Sequence, residues 1–235
     1  MSVVIGIDVG GTKVAATLLG PGGLGEHKQQ PTELDSTDAL IAQFVELVGE
    51  AAGGERYAAV GIGVPSIVRF QTGEVAASTN IPLKGVPLRR ELGDRLGVPV
   101  FVDNDATVAA LAEAHDENLQ VTSPNLVMLT VGTGIGGGIV IGGRIFRGGS
   151  GGAGELGHTS IGLAIEGDVP APGERFPQLG SLEWLAAGHA VDRAAVAAAQ
   201  AEPDSALGRL AASGKAVLGA DAVAAARAGD AVAAR

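Results

Sequence analysis

A chain of 235 residues is long enough for one large domain or for two lobes of about 100 residues each. Hydrophobic residues make up 46% of it, aromatic residues only 3%, and 38 residues are glycine, so an α/β core of Val, Ile, Leu and Ala around many tight turns is expected. The net charge of −10 argues against a nucleic-acid-binding surface, and the lack of cysteine excludes disulfides, thiolate nucleophiles and cysteine-ligated zinc.

The chain begins with a glycine turn between two β-rich runs, residues 3–9 and 14–19, which predicts a hairpin. In the turn Gly10, Gly11, Thr12 and Lys13, backbone N–H groups can point at an anion, and Lys13 adds a positive charge. A plain turn is the simpler interpretation. Asp8 favours the functional one, because a carboxylate predicted to be buried in a strand needs a partner, such as hydrated Mg²⁺ near a nucleotide.

Helices and strands then alternate. The predicted elements are a helix from Asp35 or Ser36 to Gly53, a strand at 60–64, a helix from about Pro87, a strand at 98–102 and a helix at 106–118. Asp103, Asn104 and Asp105 lie at the carboxyl end of a strand, where open α/β sheets bind ligands. They could simply cap the helix, but a cap needs only one of them. Asn beside Asp can orient one hydroxyl group and accept the proton of its neighbour.

Residues 126–141 repeat the unit of strand, glycine turn and strand, which predicts two related lobes. The turn also matches the dinucleotide pattern G-x-G-x-x-G with Glu155 downstream, but a β-branched, glycine-rich strand follows it instead of a helix, which disfavours NAD binding. Glu155, His158 and Glu183 lie in glycine-punctuated loops. Their side chains suit vicinal hydroxyls, although a solvated loop is the plainer interpretation. After Glu183 only helices are predicted, with breaks near Pro203, Gly214 and Gly219.

No secretory signal is visible at the N-terminus. Glycine or charge interrupts every apolar run well short of about 20 residues. A cytoplasmic protein with no membrane partner and no nucleic-acid partner is therefore expected.

Five segments together, in this order, resemble the ROK family, which contains bacterial sugar kinases and sugar-responsive repressors. They are residues 8–13, 104–106, 132–138, 154–158 and 180–183, and the similarity covers about residues 3–188. The resemblance implies the two-lobed actin-like ATPase (ribonuclease H-like) fold of the α/β class. The expected lobes are 1–112, with the first phosphate hairpin and the catalytic Asp, and 113–235, with the second hairpin and the sugar-binding loops.

The resemblance further implies an ATP-dependent sugar kinase that phosphorylates a hexose. Glucose is the first choice, with its 6-hydroxyl as acceptor, and N-acetylmannosamine, fructose and allose are the alternatives, because one or two pocket residues decide among them. Asp105 is then the catalytic base. The hexose-binding residues are expected to be Asn80, Asn104, Asp105, Glu155, His158 and Glu183. Those contacting ATP are expected to be Asp8, which lies near Mg²⁺, and Gly10, Gly11, Thr12, Lys13, Gly132, Thr133 and Gly134. A homodimer is expected.

The chain departs from the family pattern at three places. Family members commonly carry a cysteine cluster that binds structural zinc with the histidine matching His158; here Ala171, Gly173 and Ser181 lie in or near that stretch, so no structural zinc is expected. Ser66 stands where sugar-contact loops usually have glycine. The family also continues beyond the point matching Arg235, so the second lobe and the adenine pocket are expected to be incomplete, with an uncovered sheet edge that promotes association.

Two alternatives to an active kinase stay open. A sugar-responsive repressor would carry a helix-turn-helix domain ahead of the first hairpin, which here begins at Val3. A non-catalytic sugar-binding or incomplete protein, which binds the hexose but turns over little ATP, is the more serious rival.

Overall fold

The computed structural model describes residues 2–161 and 177–235 and divides the chain into two compact units. Unit 1 is Met1–Met128 with Gly138–Gly154, and unit 2 is Leu129–Gly137 with Glu155–Arg235. The predicted lobe boundary at residue 112 stays a prediction. The expected zinc-free loop at Ala171 and Gly173 lies outside the described residues. Within the described ranges, no helix is long and apolar enough to cross a membrane.

The predicted alternation of strands and helices is confirmed. The described strands are β1 (Val4–Val9), β2 (Lys13–Gly20), β3 (Gly23–Leu24), β4 (Lys28–Pro31), β5 (Val60–Val64), β6 (Ile67–Arg69), β7 (Glu74–Ala77), β8 (Val100–Asn104), β9 (Leu126–Val131), β10 (Ile135–Ile141) and β11 (Arg144–Ile145). The helices are α1 (Thr37–Ala52), α2 (Leu88–Leu96), α3 (Asp105–Glu113), α4 (Leu182–Ala186), α5 (Gly188–Ala201), α6 (Ala206–Ala212) and α7 (Gly219–Arg227), with a 3₁₀ helix at Leu156–His158. Among the described residues after Glu183, helices are the only regular secondary structure, as predicted. Strands β3, β4, β6, β7 and β11 were not predicted, because each is too short to show a period.

The centre of unit 1 is a six-stranded sheet with the order β3-β2-β1-β5-β8, in which β4 pairs with β2. Strands β1 and β2 form the predicted antiparallel hairpin, and β5 and β8 run parallel to β1. The carboxyl ends of β1, β5 and β8 therefore lie at the same edge. This edge is where the sequence placed Asp8, Asn104 and Asp105.

Helix α1 covers one face of this sheet. It begins where predicted, because the Ser36 hydroxyl accepts a hydrogen bond from the N–H of Ala39 at 3.1 Å, and it ends at Gly53 in the left-handed conformation. Its buried residues at helical spacing, including Phe44, pack against the inward side chains of β1 and β5. Burial of this apolar surface fixes which face of β1 is inside. Consequently Gly6 and Asp8 lie on the opposite face.

Strand β8 and helix α3 differ from the prediction at their ends. The strand starts at Val100 instead of 98, and the helix runs from Asp105 to Glu113 instead of 106–118. The early end has a local cause, because the Asp116 carboxylate accepts hydrogen bonds from the N–H groups of Asn118 and Gln120. Such Asx turns compete with the helical hydrogen bonds.

A second, three-stranded sheet has the order β11-β10-β9. Gly138 in β10 packs directly on α3: a Cβ there would overlap the Ala110 methyl group and lie 3.0 Å from the Ala106 carbonyl oxygen. Glycine is therefore required for this close approach of strand and helix.

In unit 2, helices α5, α6 and α7 pack around a small core of Ala195, Ala199, Leu207, Val217 and Ala222.

Strand β9 is the edge of its sheet and carries an exposed apolar row, with Val127, Leu129 and Val131 exposed by 63, 49 and 68%. An edge of this kind is a template for pairing with another chain. We expect Leu129→Lys to reduce concentration-dependent self-association, measured by sedimentation velocity. Leu24→Lys is the matched control, because Leu24 is an exposed leucine in the two-residue strand β3, which has no row of exposed apolar side chains. Equal self-association of wild type and both variants would refute this role of β9.

Candidate active site

The first glycine turn, in unit 1, is held through its carbonyl groups. The Gly10 N–H donates to the Lys13 carbonyl at 2.8 Å, as a tight hairpin requires. Thr32 donates its hydroxyl to the Gly10 carbonyl at 2.8 Å and its backbone N–H to the Thr12 carbonyl at 3.1 Å. Among the described residues, the N–H groups of Gly11 and Thr12 have no acceptor. The turn therefore presents two donors to an anion, with Lys13 exposed beside them.

Asn80 lies next to this turn. A Cβ built on Gly11 would lie 3.7 Å from the Asn80 Cβ, which is ordinary packing distance, and the Asn80 side chain is exposed. The structure thus brings one expected sugar-binding residue against the first expected phosphate turn. Its sugar-binding role stays a prediction.

Asp8 is exposed, so the prediction that its carboxylate is buried is wrong. The strand alternates, and Ile5, Ile7 and Val9 take the core face while Asp8 takes the other. In the parallel register Asp8 aligns with Gly63 of β5, and Gly63 aligns with Asp103 of β8. Two carboxylates therefore flank a glycine on the same face of the sheet.

Gly63 makes room for Asp105. A Cβ at Gly63 would lie 3.2 Å from the Asp105 Cα and 3.0 Å from Val108 Cγ2, tighter than normal contact. The first turn of α3 therefore rests on the sheet where Gly63 leaves no side chain. The alternation of glycine in β5, at Gly61 and Gly63, was the sequence signal for this approach.

Asn104 and Asp105 have different local roles. Asn104 is the N-cap of α3, because its Oδ1 accepts from the Thr107 N–H at 3.0 Å; its Nδ2 lies 3.5 Å from the Ser66 carbonyl oxygen. Asp105 Oδ1 accepts from the Ala106 N–H at 2.8 Å. Burial raises the pKa of the Asp105 carboxyl, the Ala106 N–H lowers it, and the negative charge of Asp8 raises it, with a net upward shift. Asp105 is thus a half-buried carboxylate with increased proton affinity.

The second glycine turn, in unit 2, is held in the same manner. The N-terminal N–H groups of α5, from Gly188 and His189, donate to the carbonyls of Gly132 and Thr133 at 2.8 and 3.4 Å. The Gly132 N–H donates to the Gly134 carbonyl at 2.9 Å. Within the described part of the chain, the N–H groups of Thr133 and Gly134 have no acceptor. The two glycine turns, which the sequence identified as an internal repeat, thus each have two backbone N–H groups without an acceptor among the described residues.

Glu183 contacts this turn directly. Its Oε2 accepts from the Ile135 N–H at 2.7 Å, and a Cβ on Gly134 would displace the carboxylate. Glu183 lies in the first turn of α4, which Ser181 caps by accepting from the Trp184 N–H at 3.1 Å. The sequence predicted a sugar-binding role for Glu183 but gave no sign that its carboxylate also supports the second glycine turn. The sugar contact itself stays a prediction.

Glu155 and His158 lie together in unit 2. Glu155 Oε2 and His158 Nε2 are 3.6 Å apart at the two ends of the 3₁₀ helix. Gly157, between them, packs so closely on β10 that a Cβ would overlap the Ile135 carbonyl oxygen. This contact fixes the distance of the 3₁₀ helix from the strand that follows the second turn.

Each unit therefore contains some of the predicted site residues. Unit 1 contains Asp8, Gly10, Gly11, Thr12, Lys13, Asn80, Asn104 and Asp105, and unit 2 contains Gly132, Thr133, Gly134, Glu155, His158 and Glu183. The described residues contain no cluster of three or more side chains arranged to hold a metal ion. That the protein folds without zinc stays a prediction.

Known proteins resemble this chain over most of its length. The glucokinase of Streptomyces coelicolor is 36% identical over 208 residues, which is 88% of this chain and 63% of that protein. The N-acetyl-D-glucosamine kinase of Shigella flexneri is 41% identical over 161 residues, 66% of this chain and 52% of that protein. The solved structure of a ROK family glucokinase from Streptomyces griseus, in complex with glucose and AMPPNP, matches with a TM-score of 0.75 at 32% identity and covers 98% of this chain and 73% of that one.

The likeness to solved ROK structures confirms the predicted actin-like ATPase fold of the α/β class. The chain spans 63% of the length of the Streptomyces coelicolor protein it matches. A family model described as ROK matches residues 4–235. The chain therefore belongs to the ROK family.

Proposed function

We propose that the protein transfers the γ-phosphoryl group of ATP to a hydroxyl group of a hexose. The observation that supports it most is Asp105, a half-buried carboxylate with raised pKa at the sheet edge where β1 leads into the first glycine turn. Asp8 links the two features, since it precedes the turn and its charge acts on Asp105. Kinase relatives add support.

In this proposal Asp105 accepts the proton of the sugar hydroxyl as the hydroxyl attacks phosphorus. A raised pKa suits this role, because a base works best when its pKa approaches the operating pH. Asn104 complements Asp105: its Oδ1 is occupied by the helix cap and one N–H of Nδ2 faces the Ser66 carbonyl oxygen, so the second N–H of Nδ2 is left to donate to a neighbouring sugar oxygen. The pair then orients one hydroxyl and deprotonates another.

The two glycine turns would bind the ATP phosphates through the N–H groups of Gly11, Thr12, Thr133 and Gly134. Backbone donors fixed in advance stabilise the charge on transferring oxygens without reorganisation. Mg²⁺ would reduce that charge further, and the donor chemistry fits it: Asp8 is an exposed carboxylate next to the first turn, and hard oxygen ligands are those that Mg²⁺ prefers.

Asn80, Glu155, His158 and Glu183 would bind the remaining sugar hydroxyls. Glucose is the first candidate, because the glucokinases of Streptomyces support it, and N-acetylglucosamine is the second. One or two pocket residues suffice to decide between such sugars. A panel of hexoses in a coupled ADP-release assay, with mass spectrometry of the sugar phosphate, tests the reaction and the sugar together. A homodimer and a cytoplasmic location stay predictions.

Thr32 gives a specific test of the first phosphate turn. Thr32→Val keeps the shape of the side chain and removes its hydrogen bond to the Gly10 carbonyl. We expect KM for ATP to rise about three- to tenfold, the effect of about 1 kcal/mol lost from one hydrogen bond. Thr17→Val is the matched control, because the Thr17 hydroxyl bonds the Gly25 carbonyl at 3.2 Å instead of the turn. Equal KM for ATP in both variants would remove Thr32 from the site.

A further inference from the structure

Asp103, at the end of β8, forms a partly buried ion pair with Arg147. Arg147 donates from Nε and Nη2 to Asp103 Oδ2 at 3.0 and 2.6 Å, and the two side chains are 24 and 10% exposed. The other oxygen, Oδ1, accepts from the N–H of Asn104 at 3.0 Å. The carboxylate thus joins Arg147 to the backbone of the residue immediately before Asp105.

Arg147 is itself held by an aromatic ring. Its guanidinium lies 3.6 Å from the centroid of the Phe70 ring, within cation–π distance. Phe70 is fixed in turn by Arg89 of α2, which donates to the Phe70 carbonyl at 2.5 Å and to the Gln71 carbonyl at 2.9 Å. A continuous set of contacts therefore runs from α2 through Phe70 and Arg147 to the end of β8.

An ion pair of this kind adds little to the stability of the fold, so its value lies in the geometry that it imposes on its neighbours. Two charges removed from water lose solvation that their attraction only partly returns, and apolar replacements of buried pairs are often as stable or more stable. An ion pair in this position gives directional hydrogen bonds instead, and these fix the rotamer of Asp103. They also neutralise a carboxylate that lies, with Asp8, on the same face of the sheet as Asp105.

We propose that Arg147 is a positioning residue that acts through Asp103 to fix Asn104 and Asp105 for the reaction. The inference rests on the proposed kinase function, since it assigns Arg147 a part in that reaction. Arg147 itself does not need to touch either substrate. Loss of the pair is expected to disturb the base more than the binding of sugar, because most of the expected sugar-binding residues lie elsewhere in the chain.

The test compares Arg147→Met, Arg147→Lys and Arg90→Met. Methionine keeps much of the apolar contact with Phe70 and removes the charge, lysine keeps the charge without the two-nitrogen contact, and Arg90 is a control whose side chain is 70% exposed. For Arg147→Met we expect kcat to fall about 10- to 100-fold with sugar KM within about threefold, since a displacement of about 1 Å can cost that much. Arg147→Lys should recover part of kcat, and Arg90→Met should resemble wild type.

Hydrogen exchange of the Asn104–Thr107 amides, without substrates, gives a second readout that does not depend on turnover. Faster exchange in Arg147→Met than in Arg90→Met is expected. If wild type phosphorylates no sugar, the proposed function fails, and the exchange data alone decide whether Arg147 fixes this segment. Unchanged exchange, or an unchanged kcat in an active protein, would overturn the proposal. Should Arg147→Met fail to fold, the double variant Asp103→Asn/Arg147→Met, which leaves no unpaired charge, is compared with wild type and with Arg90→Met by the same two measurements.

Discussion

Asp105→Asn is expected to lower kcat by about 10² to 10⁴-fold, the usual contribution of a general base. Sugar affinity, measured by calorimetry, should stay within a few-fold, because asparagine has the same shape and retains an oxygen for the Ala106 N–H. Asp94→Asn is the control, since Asp94 is an exposed carboxylate on α2. An Asp105→Asn variant with the turnover of Asp94→Asn would remove Asp105 from the mechanism.

The same substitution should make the protein more stable at pH 7. The pKa of Asp105 is raised in the folded protein above its ordinary value of 3.8, so the folded state favours the neutral carboxyl. The stabilisation that the neutral Asp105 carboxyl gives the folded state is present below the pKa of this group in the unfolded chain, and it is lost as pH rises through its pKa in the folded protein. At pH 7 the ionised carboxylate therefore destabilises the folded state, and asparagine removes this destabilisation. Thermal unfolding should show a higher Tm for Asp105→Asn at pH 7 and a smaller difference near pH 4; a lower Tm at pH 7 would contradict the argument.

Gly157→Ala is expected to weaken sugar binding by about 10- to 100-fold. The added Cβ meets a backbone oxygen, that of Ile135, which cannot rotate away as a side chain can. The 3₁₀ helix must then move from β10 and carry Glu155 and His158 with it, and displacement of this size loses the alignment of binding groups. Overpacking of this kind also costs about 1–3 kcal/mol in stability.

Gly49→Ala is the control for this glycine substitution. Gly49 lies in α1 with no atom within 4 Å of the Cβ position, so alanine should stabilise the protein by up to about 1 kcal/mol through helix propensity. Calorimetric titration with glucose and with N-acetylglucosamine measures the sugar affinity of both variants. Wild-type affinity for both sugars in Gly157→Ala would show that Glu155 and His158 do not depend on this contact.

The elements with strong local signals were predictable from sequence. Ser36 and Gly53 delimit α1 because a cap and a left-handed glycine act within one turn of the chain. The two hairpins followed from the glycine turns between β-rich runs. The burial of Asp8 was predicted wrongly, because a strand alternates and the sequence alone did not show which face was covered by α1.

The contacts that support the site were not predictable, because they join distant residues. Thr32 reaches Gly10 across 22 positions, Arg147 reaches Asp103 across 44, and Glu183 reaches Ile135 across 48. No local pattern marks such partners in a single sequence. The sequence identified residues whose types suit the chemistry, and their supporting hydrogen bonds became visible only in the folded chain.

Sugar-dependent ADP release tests the central claim most directly, measured on wild type and Asp105→Asn with glucose and N-acetylglucosamine under conditions where calorimetry shows the sugar bound. The account predicts ADP release by wild type that requires one of these sugars, yields the sugar phosphate in equal amount and is lost in Asp105→Asn. Wild type that binds sugar without releasing ADP, or an Asp105→Asn variant that releases it at the wild-type rate, would contradict the assignment of a sugar kinase with Asp105 as its base.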